Sequence, residues 1–235
     1  MRWPGGFLCS RCGHRQAWRL RRDVWRCRAC RTKVALRAGT IFQDSPLPLR
    51  VWFRAIWAVT NQKAGINALS LQRSLGLGSY RTAWLMLHKL REAMVRPGRE
   101  RLVGRVEVDE TYVGGEEPGT RGRQTFKKAL VAIAAECRGR GMGRIRVQRI
   151  PEASWSVLQR FVVRHVEPGS VVLTDGLPSY GGVARAGYRH DVREAGRGLP
   201  RVHRVAALIK RWLLGTHQGG VSPAHLDAYL EEYTF

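Results

Sequence analysis

Two stretches of this chain run aliphatic residues straight into a carboxylate. One is Val106-Glu107-Val108-Asp109-Glu110 and the other is Val171-Val172-Leu173-Thr174-Asp175-Gly176. A buried strand that ends on an aspartate leaves the carboxylate at a sheet edge, where its oxygens can hold a hard divalent cation. Two such ends side by side make a metal site, so Asp109 and Asp175 are expected to share magnesium or manganese. An aspartate after a strand is often only a turn residue, so the weight rests on the pair. Glu110 adjoins Asp109 but points to the opposite strand face. It is as readily an outward solvated acid as a supporting ligand.

A second constellation lies near the start. Cys9-Ser10-Arg11-Cys12 and Cys27-Arg28-Ala29-Cys30 are two CxxC pairs with fourteen residues between them. A tight turn points both sulfurs of a pair at one ion, and two pairs complete a tetrahedron suited to zinc. Four cysteines close the site, so its expected role is structural. The spacer has the length of a hairpin, with Gln16–Leu20 and Val24–Arg26 as its strands. Arg11, Arg15, Arg19, Arg21 and Arg22 are placed to touch DNA. Cys137 follows an apolar run and reads as a small buried hydrophobe, not as a nucleophile.

The chain has 235 residues and a formal net charge of +23, with 44% hydrophobic residues. That composition supports a packed core, and the charge needs a polyanion, of which nucleic acid is the commonest. A metal site in such a chain is expected to act on phosphodiesters. Arg2 is followed by Trp3 and Pro4, not by an apolar run, so no signal peptide is expected. No segment reads as a membrane span, and the protein is expected to be soluble and cytoplasmic. In that compartment cysteines more often bind metal than form disulfides.

Three segments have to position these groups. Residues 1–45 carry the cysteines. Residues 46–98 read as a helical, helix-turn-helix-like DNA-binding unit. There Pro48–Val59 is amphipathic, and Asn67–Leu75 leads into the turn Gly76-Leu77-Gly78. Ser79 is expected to cap a helix from Tyr80 to Met94, with Ala83, Trp84, Leu87, Leu90 and Met94 as its buried stripe. Arg81 is in its first turn, where it can reach DNA, and His88 and Lys89 are expected to be solvated. Pro97–Arg101 reads as a linker. From 99 to 235 strands alternate with helices. One strand ends at Asp109; Lys128–Ala135 and Ile145–Ile150 follow, then a helix over Ser154–Val166. The strand Val171–Thr174, a strand over Tyr188–Val192, and helices over His203–Leu214 and Pro223–Glu231 complete the pattern. This α/β order is the layout of the ribonuclease-H-like fold, in which carboxylates on the first and fourth strands meet.

The motifs Val108–Gly115, Thr174-Asp175-Gly176 and Lys210–His217, taken with the cysteine pairs, resemble the insertion sequence 1595 family of bacterial transposases. The resemblance covers nearly the whole chain. It implies a zinc ribbon joined to a ribonuclease-H-like, DDE-type catalytic domain that cleaves DNA and transfers strands at the ends of a mobile element. By resemblance Asp109 and Asp175 are the first two catalytic carboxylates. In the family the third position varies, and a Lys or Arg follows it by seven residues. Here His203 stands at that place and Lys210 seven beyond it. Seven residues is close to two helical turns, which puts both on one face. Imidazole suits softer metals than magnesium, so Glu194 is an oxygen-bearing rival to His203. Lys210 and Arg211 are expected to hold DNA, and a homo-oligomer on DNA is implied by the need to join two element ends.

Family members extend further at both ends, so the last helix is expected to lack some packing partners. Two rivals stay open: a DNA-binding regulator with an inert third domain, and a nuclease of the same fold that never joins strands.

Overall fold

The protein is described here from a computed structural model, covering residues 3–21, 23–115, 127–193, 198–218 and 221–235. The cysteine segment folds as an antiparallel three-stranded ribbon, β1 (Ala17–Arg21), β2 (Val24–Cys27) and β3 (Lys33–Ala35), with β2 central. The third strand was not expected. It is only three residues long, too short for a period-2 pattern to show.

Three helices follow: α1 (Leu49–Asn61), α2 (Ala68–Leu75) and α3 (Tyr80–Met94). Asn67 caps α2 by accepting the Ser70 N–H at 2.8 Å, and Gly76 ends it in the left-handed region at φ 65. Ser79 precedes α3 in extended conformation, but its side chain makes no capping hydrogen bond. Trp52, Ala55, Leu71, Ala83, Met86, Leu87, Leu90 and Met94 form the core of this unit. Met86 is buried where Trp84 was expected; Trp84 is only partly covered. His88 is not solvated either. Its ring packs 3.9 Å from that of Trp84 and near His225 and Tyr229, and Lys89 donates to the Gln43 carbonyl.

The remaining chain runs β4 (Arg105–Val113), β5 (Ala129–Arg138), β6 (Gly141–Ile150), α4 (Trp155–His165), β7 (Val171–Thr174), β8 (Arg189–Val192), α5 (Pro200–His217) and α6 (Pro223–Thr234). The sheet order is β6-β5-β4-β7-β8. The first three strands pair antiparallel, and β4-β7 and β7-β8 pair parallel. This is the ribonuclease-H-like arrangement, with helices on both faces. Alternation sorts the strands: Val106, Val108, Leu130, Ala132 and Ala134 face α4, while Val113, Val131, Ile133 and Leu173 face α5 and α6. Burial on both sides explains the unbroken apolar run of β5.

Three expectations need correction. The first strand does not stop at Asp109, because pairing with β5 continues to Val113↔Ala129. The segment at 97–101 is tied down: Arg99 bridges Glu231 at 2.9 Å and Glu100 bridges Arg144 at 2.7 Å. The last helix has its partners. Leu226, Tyr229 and Leu230 are buried, and a buried Arg91–Glu232 ion pair at 2.6 Å fastens α6 to α3.

Candidate active site

The two aspartates come together where β4 and β7 part. Their parallel register runs Arg105↔Val171, Val106↔Val172 and Glu107↔Leu173, then stops. Asp109 and Asp175 each lie two residues further on, so both share the strand face of Glu107 and Leu173. Beyond that point β4 continues with β5 alone, while the chain after β7 turns away through Gly176 at φ 80. The carboxylates therefore stand at the mouth of a splayed seam, both half-buried.

Their surroundings are specific. Asp109 Oδ1 accepts the Glu110 N–H at 2.8 Å, and Oδ2 lies 3.1 Å from His203 Nε2. Asp175 Oδ1 accepts the Leu177 N–H at 3.1 Å. Burial pushes the Asp109 carboxyl above its ordinary value; the Glu110 N–H opposes this, and the charge of Asp175 adds to it.

His203 reaches Asp109 because α5 starts against β4. Its first turn has amide N–H groups without helical partners, and Leu199 supplies no side-chain cap. Glu107, 1% exposed, supplies it from the strand. Its Oε2 accepts the Arg201 N–H at 2.6 Å and the Val202 N–H at 3.1 Å. Its Oε1 accepts from Arg201 Nη1 at 2.8 Å. Cys137 is half-buried beside this group, its thiol 3.9 Å from Glu107 Oε1 and pushed up by burial, which leaves it a poor nucleophile.

Two turns along α5, Lys210 lines a cavity of about 470 Å³ with Tyr112, Gly114, Lys128 and Gln218. Desolvation and then the charge of Lys128 lower its pKa. Glu110 faces the α4 side, where its Oε2 accepts the phenol of fully buried Tyr180 at 2.8 Å. It is thus neither a freely solvated acid nor aimed with the aspartates. Tyr180 is raised well above its ordinary range by burial, then by Glu110, Asp109 and Asp175. Glu194 lies outside the described residues, as does Arg22.

Residues 101–235 match the family model of the ISXO2-like transposase domain, and residues 1–33 match that of a transposase zinc-ribbon domain. The chain belongs to the ISXO2-like transposase family. A relative of this transposase in Halobacterium salinarum, described as an uncharacterized protein in transposable element ISH50, is 27% identical across 99% of the chain and 86% of its own length. Among solved structures, the catalytic core domain of BIV integrase aligns with a TM-score of 0.38 and 15% identity over 55% of this chain and 80% of its own. The Mos1 transposase paired-end complex with left transposon end aligns at 0.39 and 13% over 78% and 70%.

In the ribbon of this transposase the four cysteine sulfurs lie within 4.8 Å of one another. Cys9–Cys30 and Cys12–Cys27 are 3.5 and 3.6 Å apart. Disulfide sulfurs would be about 2.05 Å apart; the edge of a Zn–S tetrahedron is about 3.8 Å. Hydrogen bonding to Thr32 lowers the Cys30 thiol to about 6, while hydrogen bonding to Cys30 raises that of Cys12 to about 11, so a metal would have to displace protons from part of the set. Among the described residues this is the one set of three or more such ligand atoms that tight. Asp109, Asp175 and His203 are therefore an open group, not a closed cage.

Of the residues expected to meet DNA, Arg11, Arg15, Arg19 and Arg21 are exposed on the ribbon, Arg81 on the first turn of α3, and Arg211 on α5. Arg28 and Arg31 stack on exposed Trp18 with guanidinium carbons 5.5 and 4.5 Å from its ring centre. No described helix is long and apolar enough to cross a membrane. Glu107, Arg201 and Tyr180 had no expected role. A glutamate on the apolar face of a strand and a Pro-Arg helix start without a capping side chain were the signals for the first two.

Proposed function

We propose that this transposase cuts DNA and transfers strands at the ends of an insertion sequence, using divalent ions held by Asp109 and Asp175. The observation that carries the reading is the placement of these carboxylates on one face at the mouth of the β4–β7 seam. The donor set fits a hard cation: both are carboxylates, and a positive charge beside them would offset the burial and, after it, the nearby Asp175 charge that raise Asp109. When bound, such ions activate a water or a 3′-hydroxyl and steady the leaving oxygen.

The chain's own residues do the rest. His203 holds Asp109 Oδ2 and so fixes its rotation. Lys210, about 10 Å further along α5, holds a phosphate of the same strand. The ribbon over 1–45, with zinc on Cys9, Cys12, Cys27 and Cys30, and the helical unit over 46–98 grip the element end. From Ser45 to Arg91 there is no acidic residue, against Arg50, Arg54, Lys63, Arg73, Arg81, Lys89 and Arg91. Arg91 is buried against Glu232, but the exposed cations Arg50, Arg54, Lys63, Arg73 and Arg81 alone leave a one-sided surface that fits a phosphate backbone. Joining two ends calls for two or more copies on DNA, in the cytoplasm where the DNA lies.

The test is strand joining. Full-length protein, a labelled terminal-repeat oligonucleotide and manganese should give joined product, and Asp175→Ala should give none while still binding. Intact supercoiled plasmid under the same conditions would favour a regulator with an inert domain. Nicking without joining would favour a simple nuclease.

A further inference from the structure

We propose that Glu107 is a positioning residue for catalysis, setting the register of α5 on β4 that holds His203 against Asp109. The inference rests on the reading of Asp109 and Asp175 as the catalytic pair. Glu107 shares their strand face, two residues before Asp109, and its chemistry alone would suit a third metal ligand. The hydrogen bonds decide otherwise. Both oxygens are taken, Oε2 by the Arg201 and Val202 amides and Oε1 by the Arg201 guanidinium. The carboxylate oxygens are engaged by the start of α5, with the Cys137 thiol a further neighbour 3.9 Å from Oε1.

The same contacts explain what it does. A helix start carries partial positive charge and unpartnered N–H groups. Pro200 and Leu199 offer no capping side chain, so the fold draws the cap from the neighbouring strand. Charge-assisted bonds of this kind are short and directional. Arg201 extends the clamp to the β5–β6 turn, donating to the carbonyls of Gly139 at 2.6 Å and Gly141 at 2.8 Å. The start of α5 is thereby tied to β4 and to the β5–β6 turn. His203 follows within two residues of these amides and makes the next contact along β4, at Asp109. Without Glu107, the packing of Leu199 and Val202 still seats this turn on the sheet, but among the described contacts the imidazole–carboxylate bond is the directional one left to fix its approach to β4.

Glu107→Gln keeps the shape and removes the charge. In plasmid nicking with manganese, we expect it to bind DNA with unchanged affinity while turnover at saturating metal falls at least about tenfold, the scale of a small misplacement. Its half-saturating manganese concentration should stay within about twofold of wild type. Turnover restored by raised manganese would show a ligand and overturn the proposal, as would unchanged turnover per folded molecule. The ring ¹⁵N signal of His203 is read in the same samples without turnover. It should move in Glu107→Gln, and an unmoved signal also overturns the proposal. Should Glu107→Gln not fold, Arg201→Lys carries the test, with a smaller loss and the same His203 shift expected. A wild-type protein that does not nick sinks the reading of the catalytic pair, whereas an active wild type, a dead Asp175→Ala and a normal Glu107→Gln sink this inference alone.

Discussion

The chain has two centres suited to metal, and they are built in opposite ways. The cysteine centre is closed: four sulfurs crowd within 4.8 Å, and the core around them is little more than Cys9, Cys27 and Val34 with Trp3, Phe7 and Cys30 beside it. So small a core does not hold a fold by itself, and an ion bound by the four cysteines would supply the missing stability. The carboxylate centre is open. Its positions are set by a five-stranded sheet with a packed core on each face, before any ion arrives. At the first centre a metal would make structure; at the second, structure already sets the aspartates on one strand face, where an ion would serve the proposed chemistry.

The largest effect should come from neutralising the open centre. Asp109→Asn or Asp175→Asn should lower metal-dependent nicking by about a thousandfold or more, the scale set by losing a catalytic group. Neither should lower the melting temperature measured in chelator. Asp109→Asn removes a charge that burial disfavours, and Asp175→Asn keeps the oxygen that accepts the Leu177 N–H, so the fold should hold. A clear fall in thermal stability would mean that this centre too is structural.

Changing the closed centre should reverse the pattern. Cys27→Ser should release zinc, unfold the ribbon and weaken DNA binding by about ten- to a hundredfold, since structural zinc contributes about 10–16 kcal/mol to such folds. The main calorimetric transition of residues 99–235 should be unmoved. EDTA separates the two centres without mutation: nicking should stop and return on adding manganese, while zinc measured by mass spectrometry stays with the protein.

Lys210→Ala should act more gently. It removes one phosphate contact, so the slope of log affinity against log salt should become shallower by about one unit. An unchanged slope would place the lysine off the DNA path.

How much of this could be read from the sequence follows from the range of each interaction. The CxxC pairs, the strand alternation and the helix periods are local patterns, and they named the ribbon and, among the described residues, the six α-helices and the five strands of the main sheet, though not the short 3-10 turns at Pro178–Tyr180 and Ala184–Ala186. The two aspartates stood out because an aliphatic run leads into each. Local patterns could not show that β4 runs on past Asp109, since its continuation depends on pairing with β5 from Ala129. Nor could they show Glu107 reaching a helix 94 residues away. The solvated reading of His88 failed for the same reason: its neighbours His225 and Tyr229 come from the last helix.

The smallest effect should come from a joint that uses no metal at all. Asn67 Oδ1 caps α2, and its Nδ2 donates to the Thr216 carbonyl at 3.2 Å, near the end of α5. Thr216 in turn hydrogen-bonds to the Ala64 carbonyl. Trp212 lies against Gly65, at φ 75, where a Cβ would come within 2.6 Å of its ring nitrogen. The helix bearing His203 is thus fastened at its far end to the helical unit. Asn67→Ala removes both bonds and should cost about 1 kcal/mol. Asn67→Asp keeps the cap and loses only the donor to Thr216, so its melting temperature should fall between alanine and wild type. Both losses should be equal with and without chelator, because packing and hydrogen bonds alone make this contact. A loss that appears only with metal present would show that the carboxylate centre is coupled to the helical unit through α5.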